Sequence, residues 1–205
     1  GKAYWIAMAR KSWLGHSRNS LIYSNYEGFC DPVSSGFAYD REVFSEVGYF
    51  DETYDAAEDV EFHHRLKRSG IQAVTSPDLT IYSYPRETFG ALFRQQARYG
   101  EGRARFICKH PDGFTMETLV PAAIFLFFCL LPFFAVLRSK FIHMADLYFS
   151  GAVLYWMAIL VAGFAEALKK RCLLPGVWVA SAVWTTHMGL GWGFLRHILF
   201  SRERA

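Results

Sequence analysis

The stretch DAAEDVEFHHRLKRSG, residues 55–70, decides how the first half of this chain folds. It reads as a short helix dense in charge. Asp55 and Glu58 have the D-x-x-E spacing of a capping box, which predicts a start just after Asp55, and Gly70 is a ready C-terminal stop. Asp59 also falls in the first turn, where the helix dipole favours a carboxylate in any protein. Two readings of Asp59 therefore stand: a residue that settles a helix end, or the base of an active site.

On the N-terminal side, VSSGFAYDREVFSEVGYFDE (residues 33–52) predicts a short extended segment and then a helix capped by Asp40 and stopped by Gly48. A turn follows at Phe50 and Asp51. On the C-terminal side, IQAVT (71–75) and LTIYSY (79–84) read as strands flanking a turn at Ser76, Pro77 and Asp78, the second alternating as a half-buried strand does. Together these predict an α/β layer.

Further along, RETFGALFRQQARYGEGRARFICK (86–109) carries six basic and two acidic residues, with Phe89, Leu92, Phe93 and Ala97 near helical spacing. It ends ten residues before a charge-free stretch. Such a helix either lies in the lipid headgroup layer, where each Lys or Arg contributes about 1 kcal/mol near anionic lipid, or packs its apolar side on the domain.

The chain of 205 residues has a net charge of +3 and is 52% hydrophobic. Its charge is uneven: up to Thr118 there are 14 Lys+Arg and 16 Asp+Glu, and from Leu119 onward only 8 and 3. LVPAAIFLFFCLLPFFAVL (119–137) and residues 147–165 each run 19 residues without a charge, and 173–195 runs 23 with only His187. About 20 apolar residues cross a bilayer as a helix, so about three spans are expected. Pro121 and Pro132 leave open a kinked or re-entrant first span. The cluster Lys169, Lys170 and Arg171 places the second loop in the cytoplasm, and with it the N-terminal half. His187 reads as a neutral imidazole bonded between helices, and Gly189, Gly191 and Gly193 as positions where another helix approaches closely.

So slight a basic balance gives no reason to invoke nucleic acid. Cys30, Cys108, Cys129 and Cys172 lack metal-ligand spacing and read as reduced thiols. His16, His63, His64 and His110 likewise lack ligand spacing and read as surface histidines. The chain opens on Gly1, and GKAYWIAMARKSW lacks the ordered regions of a signal peptide, so we read it as starting within a longer protein.

GFAYDREVF (36–44), GYFDE (48–52), AEDVEFHHRL (57–66), YPRETFGALFRQQARYGEGRA (84–104), KHP (109–111) and HMGLGWGFL (187–195) recur in order with their spacing. In this the chain resembles family 2 glycosyltransferases of the GT-A fold, particularly membrane-attached bacterial enzymes that build exopolysaccharides of the succinoglycan type. The resemblance implies an α/β fold: residues 1–85 as the acceptor-side half of a GT-A domain without its donor-binding half, 86–118 as a basic interfacial helix and linker, and 119–205 as an α-helical transmembrane region. It also implies an inner-membrane, multi-pass protein with its catalytic part facing the cytoplasm.

The implied reaction moves a sugar from a nucleotide-sugar donor to a membrane- or lipid-linked glycan, with inversion. Asp59 corresponds to the family's general base, with Glu58 beside it. A sugar hydroxyl is a poor nucleophile at neutral pH, so a carboxylate within hydrogen-bond reach serves by accepting its proton. Gly36, Phe37 and Arg86 match the acceptor side. Gln95, Arg98 and Tyr99 resemble the family's Q-x-x-R-W motif near acceptor and diphosphate, with Tyr99 in place of Trp. Asp40, where a basic residue is common, and Tyr49, where a glycine is, are further departures. The family holds Mg²⁺ or Mn²⁺ through an Asp-x-Asp pair absent from this chain, so the chain alone is expected to be inert. The alternatives are a processive polysaccharide synthase, or a non-catalytic membrane module in which Asp59 only caps a helix.

Overall fold

A computed structural model describes residues 1–15, 21, 25–31, 38–78, 82 and 84–200. The chain is mostly helical: α1 (Lys2–Ala9), β1 (Gly28–Cys30), α2 (Arg41–Val47), α3 (Glu58–Arg68), β2 (Ala73–Thr75), α4 (Phe89–Lys109), α5 (Met116–Cys129), α6 (Leu131–Val136), α7 (Ile142–Leu168) and α8 (Gly176–Phe200). Short 3-10 turns follow α4 and α6, at Pro111–Gly113 and Leu137–Ser139.

The expected α/β layer is reduced, among the described residues, to one antiparallel ribbon in which Phe29 faces Val74. The segment 71–75 does form a strand, but its partner is β1. Most of 79–84 lies outside the described residues; Tyr82 and Tyr84 are fully exposed and in no strand. The extended segment expected from Val33 lies outside them as well.

Local signals fix α2. Asp40 Oδ1 accepts from Glu42 N at 3.0 Å, and Gly48 ends the helix at φ +80°, a conformation glycine adopts without strain. The turn at Phe50 and Asp51 closes through Tyr54 N to Asp51 O at 3.2 Å. The capping box expected at α3 does not form. Its N-cap is Ala57, in the left-handed region at φ +67° with no side-chain cap, and Asp55 is exposed. The reason is tertiary: a Cβ at Gly102 of α4 would overlap the Ala56 carbonyl, so α4 presses on the loop that leads into α3. Gly70 does stop α3, with Ile71 N bonded to Leu66 O at 3.0 Å.

Buried charge joins these pieces. The fully buried Glu61 of α3 receives Arg65 Nε at 3.0 Å, Lys109 Nζ at 2.9 Å and His110 Nε2 at 3.0 Å. Arg65 also donates to the Val47 carbonyl and, at 2.7 Å, to the Tyr49 carbonyl; Lys109 reaches Asp51 at 2.7 Å. Removing a cation from this network would leave the fully buried Glu61 charge less compensated and destabilise the fold. The network fixes α2, the 48–55 loop, α3 and the end of α4 as one unit.

Helix α8 is the packing centre of the second half. It rests on α4, α5, α7 and α1, and Val179, Ala182 and Val183 are completely buried. The alternating glycines do what their spacing implies: a Cβ at Gly189 or Gly193 would strike α4 at Phe93 or Ala97, and one at Gly191 would strike α5 at Pro121. His187 bridges helices, with Nδ1 2.8 Å from Tyr155 Oη and Nε2 3.0 Å from the Leu14 carbonyl. The carbonyl can only accept, so Nε2 carries the hydrogen.

Among the described residues, two helices are long and apolar enough to cross a membrane: Met116–Ser139, with mean hydropathy 2.6, and Ile142–Leu168, with 1.8. The first continues through Leu130 in right-handed helical geometry, with Phe134 N bonded to Leu130 O at 3.2 Å, so it does not double back at Pro132. Only 6% and 22% of their most apolar stretches are buried within the chain, unlike the core helix of a soluble protein. The third expected span, in α8, is not among these two.

Candidate active site

Asp59 lies half-buried in the first turn of α3, and its Oδ1 accepts from the neighbouring Val60 N at 2.8 Å. One helical turn on, His63 shares its face and is only 2% exposed. Tyr39, just before α2, places its hydroxyl 2.7 Å from His63 Nε2 and stands edge-on to Phe62 at 5.1 Å and Phe50 at 5.9 Å. Stacking of Phe44 on Phe62 completes the aromatic wall. From α4, Arg103 interacts electrostatically with Asp59 and with Glu117.

Burial pushes the Tyr39 phenol up to about 12, with the Asp59 charge adding to it. Burial also pushes His63 down to about 4, against the opposing pull of Asp59. Both side chains are neutral at pH 7. Arg103 is exposed, near the Asp59 and Glu117 charges, and its guanidinium is cationic. The result is a half-buried carboxylate within electrostatic range of one cation and of a hydrogen-bonded pair that burial keeps neutral. A carboxylate so placed can take a proton from an incoming alcohol.

Glu58 is exposed beside it. Gly36 and Phe37 lie outside the described residues. Arg86, Gln95 and Tyr99 do come together: Arg86 Nε donates to Gln95 Oε1 at 3.1 Å, and Gln95 Nε2 to Tyr99 Oη at 3.0 Å. Arg98 lines a recess of about 490 Å³ with Arg86, Arg94, Gln95, Trp192 and Arg196. Asp59 does not line it.

The reading of His63, His64 and His110 as surface residues fails. His63 is buried in the aromatic wall, and the other two are half-buried and in ring contact, with centroids 4.8 Å apart. His16 lies outside the described residues. Sequence reasoning also missed Tyr39, Glu61 and Arg103. The spacing of four between Asp59 and His63 was a usable signal; for Arg103 there was only Gly102 beside it. The residues around Asp59 do not fit a Mg²⁺ or Mn²⁺ site, because the group facing the carboxylate is itself a cation and Asp-x-Asp is absent from the sequence.

The residues that place Asp59 fall within a wider match. The glycosyl transferase family group 2 model matches residues 8–196, and the chain belongs to that family. It is similar to the succinoglycan biosynthesis protein ExoA of Rhizobium meliloti (strain 1021), 30% identical over 175 residues that cover 80% of this chain and 47% of that protein. The chain thus spans about half the length of this curated relative. No solved structure matches it.

Proposed function

We propose that this chain is the acceptor-side and membrane portion of an inverting glycosyltransferase of the GT-A type. It moves a hexosyl group from a nucleotide-sugar donor to a membrane- or lipid-linked glycan during exopolysaccharide or cell-surface glycan synthesis. In a single displacement the acceptor oxygen bonds to the anomeric carbon, the bond to the diphosphate breaks, and Asp59 takes the hydroxyl proton. The observation that carries this reading is the half-buried Asp59 in the first turn of α3, within electrostatic range of Arg103 and of the hydrogen-bonded Tyr39–His63 pair, in a chain of this family.

Arg103 supplies positive charge near the carboxylate, and Glu58 supports the loop. Gly36, Phe37 and Arg86 belong to the acceptor side; Gln95, Arg98 and Tyr99 approach the diphosphate. Donor metal, expected for the complete enzyme, is left to residues other than these. The exposed apolar surfaces of Met116–Ser139 and Ile142–Leu168 favour an inner-membrane location, and an acceptor confined to the bilayer gains effective concentration at a tethered site.

Asp59→Asn in the complete enzyme is the test. Transfer to membrane acceptor should fall by about 10²-fold or more, the scale of general-base catalysis, with nucleotide-sugar binding and membrane insertion retained. Near-normal turnover in that variant would falsify the assignment.

A further inference from the structure

A second cluster of titratable side chains, unused by the chemistry above, sits where α3 meets the turn that closes α4. His64 comes from α3, His110 caps α4, and Asp112 lies in the 3-10 turn Pro111–Gly113. One ligand atom from each falls within 4.8 Å of the others. His64 Nε2 is buried and pairs with Asp112 Oδ2 at 3.3 Å, an ion-pair distance without the alignment of a full hydrogen bond.

His110 Nε2 lies 3.0 Å from the fully buried Glu61 carboxylate. A carboxylate only accepts, so Nε2 carries the hydrogen, and Nδ1 is the nitrogen left to bind a metal. A carboxylate behind a histidine is the usual outer support of a metal-bound imidazole. One separation already fits: two ligands bonded at about 2.0–2.1 Å to a tetrahedral Zn²⁺ stand about 3.3 Å apart, the His64–Asp112 distance, and the His110 ligand atom lies within 4.8 Å of both. The edge-on Phe106 ring, 5.2 Å from His64, closes the apolar side.

We propose that His64, His110 and Asp112 bind a zinc-class divalent cation, with water in the fourth position on the solvent side of Asp112. Two imidazoles and one carboxylate select Zn²⁺, Co²⁺ or Ni²⁺ over Mg²⁺ and Ca²⁺, which require oxygen ligands. The nearby cations are Arg68, whose Nη1 stands 3.7 Å from Asp112, and Lys109, which is engaged with Asp51 and Glu61. Both members of the Arg68–Asp112 pair are exposed, so it is weak and yields to a metal. The ion would staple the helix that bears Asp59 to the end of α4, independently of whether Asp59 is a base.

The test uses the protein purified in detergent and stripped of metal. Co²⁺ titration should give the absorption of a tetrahedral N/O site at one equivalent, displaced by Zn²⁺ and not by excess Mg²⁺, with a raised melting temperature. His64→Gln and Asp112→Asn should each weaken binding by about tenfold or more. The exposed Asp112 can change without loss of fold, so that variant decides the matter should His64→Gln prove unstable. Absence of Co²⁺ binding, a thiolate-to-cobalt band from a cysteine site, or unchanged affinity in Asp112→Asn overturns the proposal.

Discussion

At the scale of single residues, the neighbours of Asp59 are unlike in what they contribute. Arg103 supplies charge, while Tyr39 and His63 supply a hydrogen-bonded pair that burial holds neutral. That neutrality has a thermodynamic consequence. His63 titrates at about 4 in the folded protein and at about 6.5 in an unfolded chain. Between these values the unfolded state binds more protons, so stability is full above pH 6.5 and declines as pH falls toward 4. His64, also lowered by burial, acts in the same direction. Glu61 acts lower down: burial raises its pKa, but hydrogen bonds from Lys109, Arg65 and His110 outweigh this and hold it below the usual glutamate value. Its contribution is present above about pH 4.3 and lost as pH drops through the folded value. His63→Gln should therefore flatten the fall in melting temperature between pH 7 and 5 without changing the loss below pH 4. Tryptophan fluorescence melts in detergent measure both, and parallel slopes in the two proteins would contradict the assignment of the upper window to His63.

Among the elements, close approach of backbones does most of the positioning. Gly102 admits the Ala56 carbonyl against α4, and Gly189 and Gly193 admit α4 against α8. Gly193→Val should then destabilise the protein on the order of 3 kcal/mol, at the upper end of overpacking effects. Gly90 is the control, since a Cβ there meets nothing nearer than Arg94 Nη1 at 3.7 Å; Gly90→Ala should be neutral or stabilising by up to about 1 kcal/mol. Equal melting temperatures for the two variants would show that the α4–α8 seam is not tightly packed. The same geometry explains what could be read from the residues in order. The limits of α2 were legible because Asp40 and Gly48 act within one turn of the backbone they complete. The start of α3 was not, because its N-cap is Ala57 in a left-handed conformation beside the close approach of Gly102 of α4, a contact between elements that are far apart in sequence. His63 and His64 look alike in sequence and part company only when an aromatic wall closes over one and the end of α4 over the other. Asp59 was marked by the motif, whereas Arg103 became its partner only once α4 lay across α3.

At the scale of the whole molecule, a polar unit fixed by the Glu61 network adjoins helices that turn apolar side chains outward. Leu126, Phe133, Val136, Leu154, Met157 and Val161 are all exposed, and hydrocarbon is the solvent that suits them. If the two candidate spans cross the bilayer, the polar unit and the loop at Lys169, Lys170 and Arg171 share one side, which the positive charge makes cytoplasmic. The native cysteines test this directly, since Cys108, Cys129 and Cys172 are free and exposed. A maleimide reacts with the thiolate, and a thiol facing hydrocarbon forms little of it. In variants that keep a single cysteine, an impermeant maleimide should modify Cys108 and Cys172 in inside-out vesicles and neither in intact spheroplasts. Cys129, within α5, should react with it only after detergent is added. Labelling of Cys172 from outside the cell would invert the orientation, and ready labelling of Cys129 in sealed vesicles of either orientation would remove the first span.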